Sequence, residues 1–239
     1  MEASYQEDKL RLSRVDELEE TKNLVWMFSC YPQLAKLGLI DQTRKALEKA
    51  ENLCQYLRVT TLKVFETMKE DRSSMSEVLA FRKSNSNKLS KQNLACWLMA
   101  WNILIENSDQ DFLIESYNRS GIKEIIPALR KLTINQWRLE LPNITTLLNS
   151  VWIYFIVLKH FDKVPVNWVS KIFRWQPCIQ MSLRQWTLDS FWFTLFHEIG
   201  HIYNWDLWKE SIILDMDSSV LNEKETLADL YAQKNLIDQ

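Results

Sequence analysis

The chain reads as an α+β protein: a helical N-terminal region followed by a small core in which short strands accompany two further helices. Only three of its 239 residues are glycine and five are proline, too few turn-formers for a loop-rich or all-β chain. Apolar residues recur at helical spacing through much of the N-terminal half. From Trp152 onward, short runs of β-branched and aromatic residues replace that period. With 46% hydrophobic and 12% aromatic residues, the chain can bury one substantial core and a smaller second one.

Residues 10–27 form a charged helical lead-in that Tyr31-Pro32 is expected to end. A second helix is expected over 41–68, where Ala46, Leu47, Ala50, Leu53, Cys54 and Leu57 keep the 3.6 period and Asp41 is available as a cap. Its apolar stripe is expected to pack on neighbours within the chain. The polar stretch 81–91 reads as a linker, with Arg82, Lys83, Lys88 and Lys91 as its solvated cations. Ser90 then caps a helix in which Leu94, Trp97, Leu98, Trp101 and Ile105 share one stripe, and two shorter helices are expected over 111–118 and 122–132. The eleven tryptophans are read as core packing. Residues 1–85 are thus a helical N-terminal region, 86–140 a helical linker region and 141–239 a core of strands and helices.

Within that core, 143–150 is expected to be helical and 152–158, 168–173 and 177–183 to be strands, with a fourth strand over 211–216. The last strand separates two helices that carry the chemistry.

The first of those helices contains His197-Glu198-Ile199-Gly200-His201. On a helix, residues four apart are separated by about 40° around the axis and about 6 Å along it, so both imidazoles can face one ion. A carboxylate beside them can take a proton from water as it attacks a polarised carbonyl. The surrounding residues 190–203 are apolar apart from a stripe of Ser190, Thr194, His197, His201 and Asn204, joined by Phe193. Burying Glu198 beside two imidazoles with no partner costs several kcal/mol, about the scale of an unpaired buried charge, and a divalent ion removes that penalty.

A third ligand is expected from Glu225, which follows after a stretch long enough for a turn, a short strand and a return helix. One turn on, Asp229 can accept the free ring N–H of a ligand histidine and fix its tautomer. Ala228, Ala232 and Leu236 share that face, and small alanines opposite Gly200 would let the two helices approach closely. Glu223 points about 200° away and is read as a solvated helix-start carboxylate. The order helix, strands, zinc helix, strand, Glu helix is that of a small zincin-like core on an antiparallel or mixed sheet.

Three stretches carry a family likeness: Phe191 through His201, the pattern Glu225-x-x-Ala228-Asp229-x-Tyr231-Ala232, and Ile179 through Leu183. On them, residues 168–237 resemble the ImmA/IrrE family of zinc metallopeptidases, especially members fused to HigA-type antitoxin regulators. Weaker similarity at 79–84 resembles the linker region of such fusions. The chain lacks a convincing candidate for the N-terminal helix-turn-helix domain of those members. They also continue beyond the Glu-bearing helix, so part of the usual cleft is expected to be missing. The resemblance implies a cytoplasmic zinc protease of bacterial or phage type that cleaves a repressor or antitoxin-like regulator.

On this reading Zn2+ is held by His197, His201 and Glu225 with an open fourth position, Glu198 is the general base, and Asp229 supports a ligand histidine. Spacing identifies no oxyanion donor between Tyr203 and His160, and His160 beside Lys159 reads as a surface residue. The strand preceding the zinc helix is expected to take an extended peptide beside Ile179 or Met181. Two other functions are consistent with the sequence: a non-catalytic antitoxin or transcriptional regulator component that uses the fold to bind protein, and a zinc hydrolase of small amides.

A formal charge of −2 provides no basic footprint, so no direct nucleic-acid contact is expected. The N-terminus is acidic and polar, unlike a secretory signal. The longest apolar run, Val151 to Leu158, is far short of the ~20 residues a bilayer requires. Cys30, Cys54, Cys96 and Cys178 are scattered without ligand spacing and read as reduced, buried hydrophobes of a cytoplasmic protein.

Overall fold

The lead-in ends at Met27, before Tyr31-Pro32 as expected, and Pro32 opens the helix that follows. The computed structural model describes residues 16, 18–67, 90–107, 119–134, 139–182, 187–207, 212–215 and 223–236. In it a 3-10 helix (Lys22–Met27) is followed by α1 (Tyr31–Lys36), with Pro32 in the first turn, where its missing N–H breaks no bond. The helix expected over 41–68 is divided into α2 (Ala46–Leu57) and α3 (Val64–Thr67). Asp41 does not cap it. Its carbonyl oxygen accepts from Tyr31 Oη at 2.7 Å and Asn52 Nδ2 at 3.2 Å, while Lys45 occupies the cap position. Arg58, at φ 56°, closes α2 in the left-handed region, which no helix continues through.

Ser90 caps α4 (Lys91–Glu106) as expected, its Oγ accepting the Asn93 N–H at 3.2 Å. Trp97 and Trp101 are fully buried on this helix, and Tyr56 Oη donates to the Cys96 carbonyl at 2.7 Å. Asn93 Nδ2 donates to the Asp162 carbonyl at 2.6 Å.

The chain divides into two compact units, residues 1–108 with 161–164 and residues 109–160 with 165–239. The hydrogen bonds just described tie α4 to the first unit, whereas α5 (Arg119–Thr133) shares a core cluster with α6 (Leu141–Asn149) in the second. The expected helix over 111–118 lies outside the described residues, as does most of the polar stretch before Ser90.

The second unit contains strands β1 (Tyr154–Val157), β2 (Trp168–Phe173) and β3 (Gln176–Met181), then helix α7 (Leu188–Tyr203), strand β4 (Ile212–Asp215) and helix α8 (Glu223–Leu236). The four strands form one mixed sheet in the order β1-β3-β2-β4. β3 is parallel to β1, with Phe155 opposite Ile179, and antiparallel to β2, with Ser170 opposite Ile179. β2 and β3 are joined by Arg174 and Trp175, at φ 50° and 68°, the left-handed pair of a two-residue hairpin turn.

β3 therefore occupies the interior of the sheet, with both edges paired. An extended peptide cannot add beside Ile179 or Met181, and the docking strand expected from the sequence is corrected on that ground. Alternation places Phe155, Ile179 and Met181 in one cluster with Phe191, Leu195, Phe196 and Ile199 of α7. The sheet thus supports the histidine helix along its apolar side.

The tryptophans are only partly core residues: Trp26 and Trp175 are 78% and 86% exposed. All four cysteines are buried, and none forms a disulfide. Among the described residues, no helix is long and apolar enough to cross a membrane.

Candidate metal centre

Helix α7 is fastened at its start. Thr187 Oγ1 accepts the Ser190 N–H at 3.3 Å, and Ser190 Oγ accepts the Thr187 N–H at 3.1 Å, a reciprocal capping box. Ser190 is thereby engaged in the cap and not at the centre, although the polar stripe of the sequence included it. Phe191, Trp192, Leu195, Phe196, Ile199 and Ile202 are buried along the helix. Their burial fixes the rotation that turns His197 and His201 towards α8.

Gly200 sets the separation of the two helices. A Cβ placed there would lie 3.1 Å from Ala228 Cα, 3.1 Å from Tyr231 Cβ and 3.2 Å from the Ala228 carbonyl oxygen. Two of these neighbours are backbone atoms that cannot rotate away. Gly200→Val is therefore expected to wedge the helices apart and to cost about 1–3 kcal/mol, the usual range for overpacking. Denaturant unfolding of the two proteins measures the difference.

This close approach brings Glu225 to the histidines. His197 Nε2 and His201 Nε2 are 3.0 Å apart, and Glu225 Oε2 lies 3.2 Å from the first and 3.6 Å from the second. A four-coordinate ion with bonds of about 2.0–2.1 Å separates its donor atoms by about 3.3–3.4 Å. The three donors have the spacing of three corners of such a tetrahedron, so His197, His201 and Glu225 form a group that could hold a metal ion.

The opposite edges of both rings are occupied by carboxylates. His197 Nδ1–H donates to Asp229 Oδ1 at 2.8 Å, and His201 Nδ1–H donates to Asp206 Oδ2 at 3.1 Å. Protons held at both Nδ1 atoms leave both Nε2 lone pairs aimed into the same small space, where only a proton or a cation relieves their repulsion. Without a metal ion, His201 is driven up to about 9: burial opposes its charge, and Glu225, Glu198 and Asp206 together outweigh that. His197 rises too, against its own burial, through Glu225, Glu198 and Asp229. The two imidazoles hold the Glu225 carboxyl far below the usual carboxylate range.

Glu198 is on the sheet side of α7, 1% exposed, and accepts a hydrogen bond from Ser170 Oγ on β2. Burial raises its carboxyl, and the imidazoles and the Ser170 hydroxyl work against that rise. One oxygen is engaged by Ser170, which leaves the other available to receive a proton.

Of the residues singled out in the sequence, His197, His201, Glu225 and Asp229 come together, with Glu198 beside them. Tyr203 does not join them. The Arg119 guanidinium lies 4.0 Å from its ring centre, and its ring packs on Tyr231 at 5.1 Å. His160 is half-buried rather than a surface residue, and Glu223 is exposed.

Ser170 and Asp206 were missed. Ser170 is a single hydroxyl on the face that otherwise presents Trp168 and Ile172 to the core. Asp206 lies two residues past the C-cap of α7, at the start of the next helical turn, where a carboxylate is ordinary and gives no signal of its role. No family model, no curated protein and no solved structure matches the chain.

Proposed function

We propose that this chain is a zinc-dependent metallo-endopeptidase with a zincin-like core, acting on a repressor or antitoxin-like protein of the kind the ImmA/IrrE resemblance implies. The observation that carries this reading is the convergence of the His197, His201 and Glu225 donors at tetrahedral spacing, with the buried carboxylate of Glu198 beside them. Two nitrogens and one carboxylate oxygen are a donor set suited to zinc at a catalytic site, where three protein ligands leave one position open. Zinc bound there would supply Lewis acidity, acidifying water and polarising the carbonyl to be cleaved.

The residues of the chain do the rest. His197 and His201 present Nε2 because Asp229 and Asp206 hold the proton at Nδ1. The free oxygen of Glu198 takes a proton from the attacking water and returns it to the nitrogen of the departing amine. Ser170 keeps that side chain in place from the sheet. A protein substrate is supported by strand position: among the described residues β4 is an edge strand, and its Ile213 lies opposite Ser170. An extended segment pairing with β4 would lie two strand spacings, about 10 Å, from Ser170 on β2.

Metal analysis of the purified protein and of His197→Ala tests the centre. The wild type should carry one zinc per chain and the variant none. A wild type that binds no zinc overturns the proposal. Chelation provides a stability readout as well. At a free zinc concentration of 100 Kd the folded state gains about 2.7 kcal/mol, so a metal chelator is expected to lower the thermal midpoint by several degrees.

A further inference from the structure

We infer that Asp206 is a positioning residue which fixes the ring of His201 for metal binding, and that the turn after α7 is shaped to deliver it. This rests on the reading of the centre as a metal site. The carboxylate and the ring are both buried, with side chains 4% and 0% exposed, and are joined by the 3.1 Å bond from Nδ1 to Oδ2. Water has almost no access to either group, so neither has a solvent substitute for the other.

The path of the backbone gives a second observation. Helix α7 ends at Tyr203, Asn204 is its C-cap, and Trp205 adopts φ 65°. For a residue with a side chain the left-handed region costs about 1–2 kcal/mol, and glycine or asparagine usually fills it. Trp205 nevertheless adopts it, and the reversal it produces carries Asp206 back beneath the helix end to His201. Asp206 then opens the next helical turn, so the reversal at Trp205 fixes both its backbone and the direction of its side chain. A costly backbone conformation at Trp205 thus accompanies the contact between Asp206 and His201.

That contact decides which nitrogen of His201 is free. A neutral imidazole carries its proton on either nitrogen, and only the form protonated at Nδ1 leaves Nε2 as a ligand. In the ring orientation present, Nδ1 faces Asp206 and Nε2 faces the other donors. Asp229 serves His197 in the same way, but its side chain is 47% exposed and water can partly replace it. Asp206 is therefore the more sensitive of the two supports.

The test measures zinc affinity of the full chain by competition with a chromophoric chelator, for wild type, Asp206→Ala and Asp206→Asn. Asp206→Ala is expected to bind zinc 10–100-fold more weakly, the usual loss for an outer-shell partner of a ligand histidine. Asp206→Asn preserves the shape and one acceptor oxygen and should recover most of that loss. In the zinc-loaded wild type, the His201 Nδ1 proton should give a protected downfield NMR signal that persists in Asp206→Asn. If Asp206→Ala does not fold, Asp206→Asn decides the matter: loss of that signal overturns the proposal and its retention supports it. Wild-type affinity in Asp206→Ala also overturns it, as does an Asn variant as weak as the Ala variant. If the wild type itself binds no zinc, the reading of the centre fails first, an outcome distinct from all of these.

Discussion

Glu198→Gln is expected to keep one zinc per chain and to lose about 10²–10⁴-fold in kcat towards a cleavable peptide, the usual contribution of a positioned general base. Glutamine has the same shape and its carbonyl oxygen can still accept from Ser170 Oγ, so the helix and its ligands are undisturbed. What it cannot do is take a proton. The substitution also removes a buried charge whose ionised form is opposed by burial, so the thermal midpoint should stay level or rise. Lost turnover combined with intact metal content and undiminished stability is the signature of the proton-transfer role. Parallel zinc analysis, thermal melts and peptide hydrolysis of the two proteins would reveal it, and full turnover in the variant would remove Glu198 from the mechanism.

His201→Ala should have the largest effect on the folded state. It removes a metal ligand and, in the same step, deprives Asp206 of its partner while that side chain is only 4% exposed. Breaking a buried pair from one side costs about 3–5 kcal/mol, because the remaining charge is left unsolvated. His197→Ala removes a ligand too, but the Asp229 it abandons is 47% exposed and water can solvate it. Both variants should lose zinc. Unfolding experiments in excess chelator should nevertheless separate them, with His201→Ala the less stable. Equal stabilities would mean that the two carboxylates are supported in the same way, contrary to their burial.

Much of the fold was legible where local pattern and burial agree. The strand over 168–173 falls where alternation put it, and helix α7 falls on the apolar segment around the two histidines. The metal group itself followed from helical spacing, since His197 and His201 are one turn apart on one element. Glu225 and Asp229 repeat that spacing on the next helix.

Two kinds of information were not local. Strand order is one: nothing in residues 177–183 distinguishes an interior strand from an edge strand that takes a peptide, because a fully buried strand reads as apolar in either place. The other is the partner of a single polar residue. Ser170 and Asp206 acquire their roles only when β2 and the turn after Tyr203 are brought against α7. The expected helix start at Asp41 failed for a related reason. Its carbonyl is already engaged by Tyr31 and Asn52, contacts that link separate segments.

Strand β4 lies, along the chain, between the helix that carries both imidazoles and the helix that carries Glu225. A cation clasped by both helices would tie that stretch into a closed loop, shrinking the freedom its unfolded form enjoys. The outermost strand would then be harder to peel away while the clasp is shut. Stripping the ion should loosen it and bare the edge of β2, an invitation to clumping between molecules.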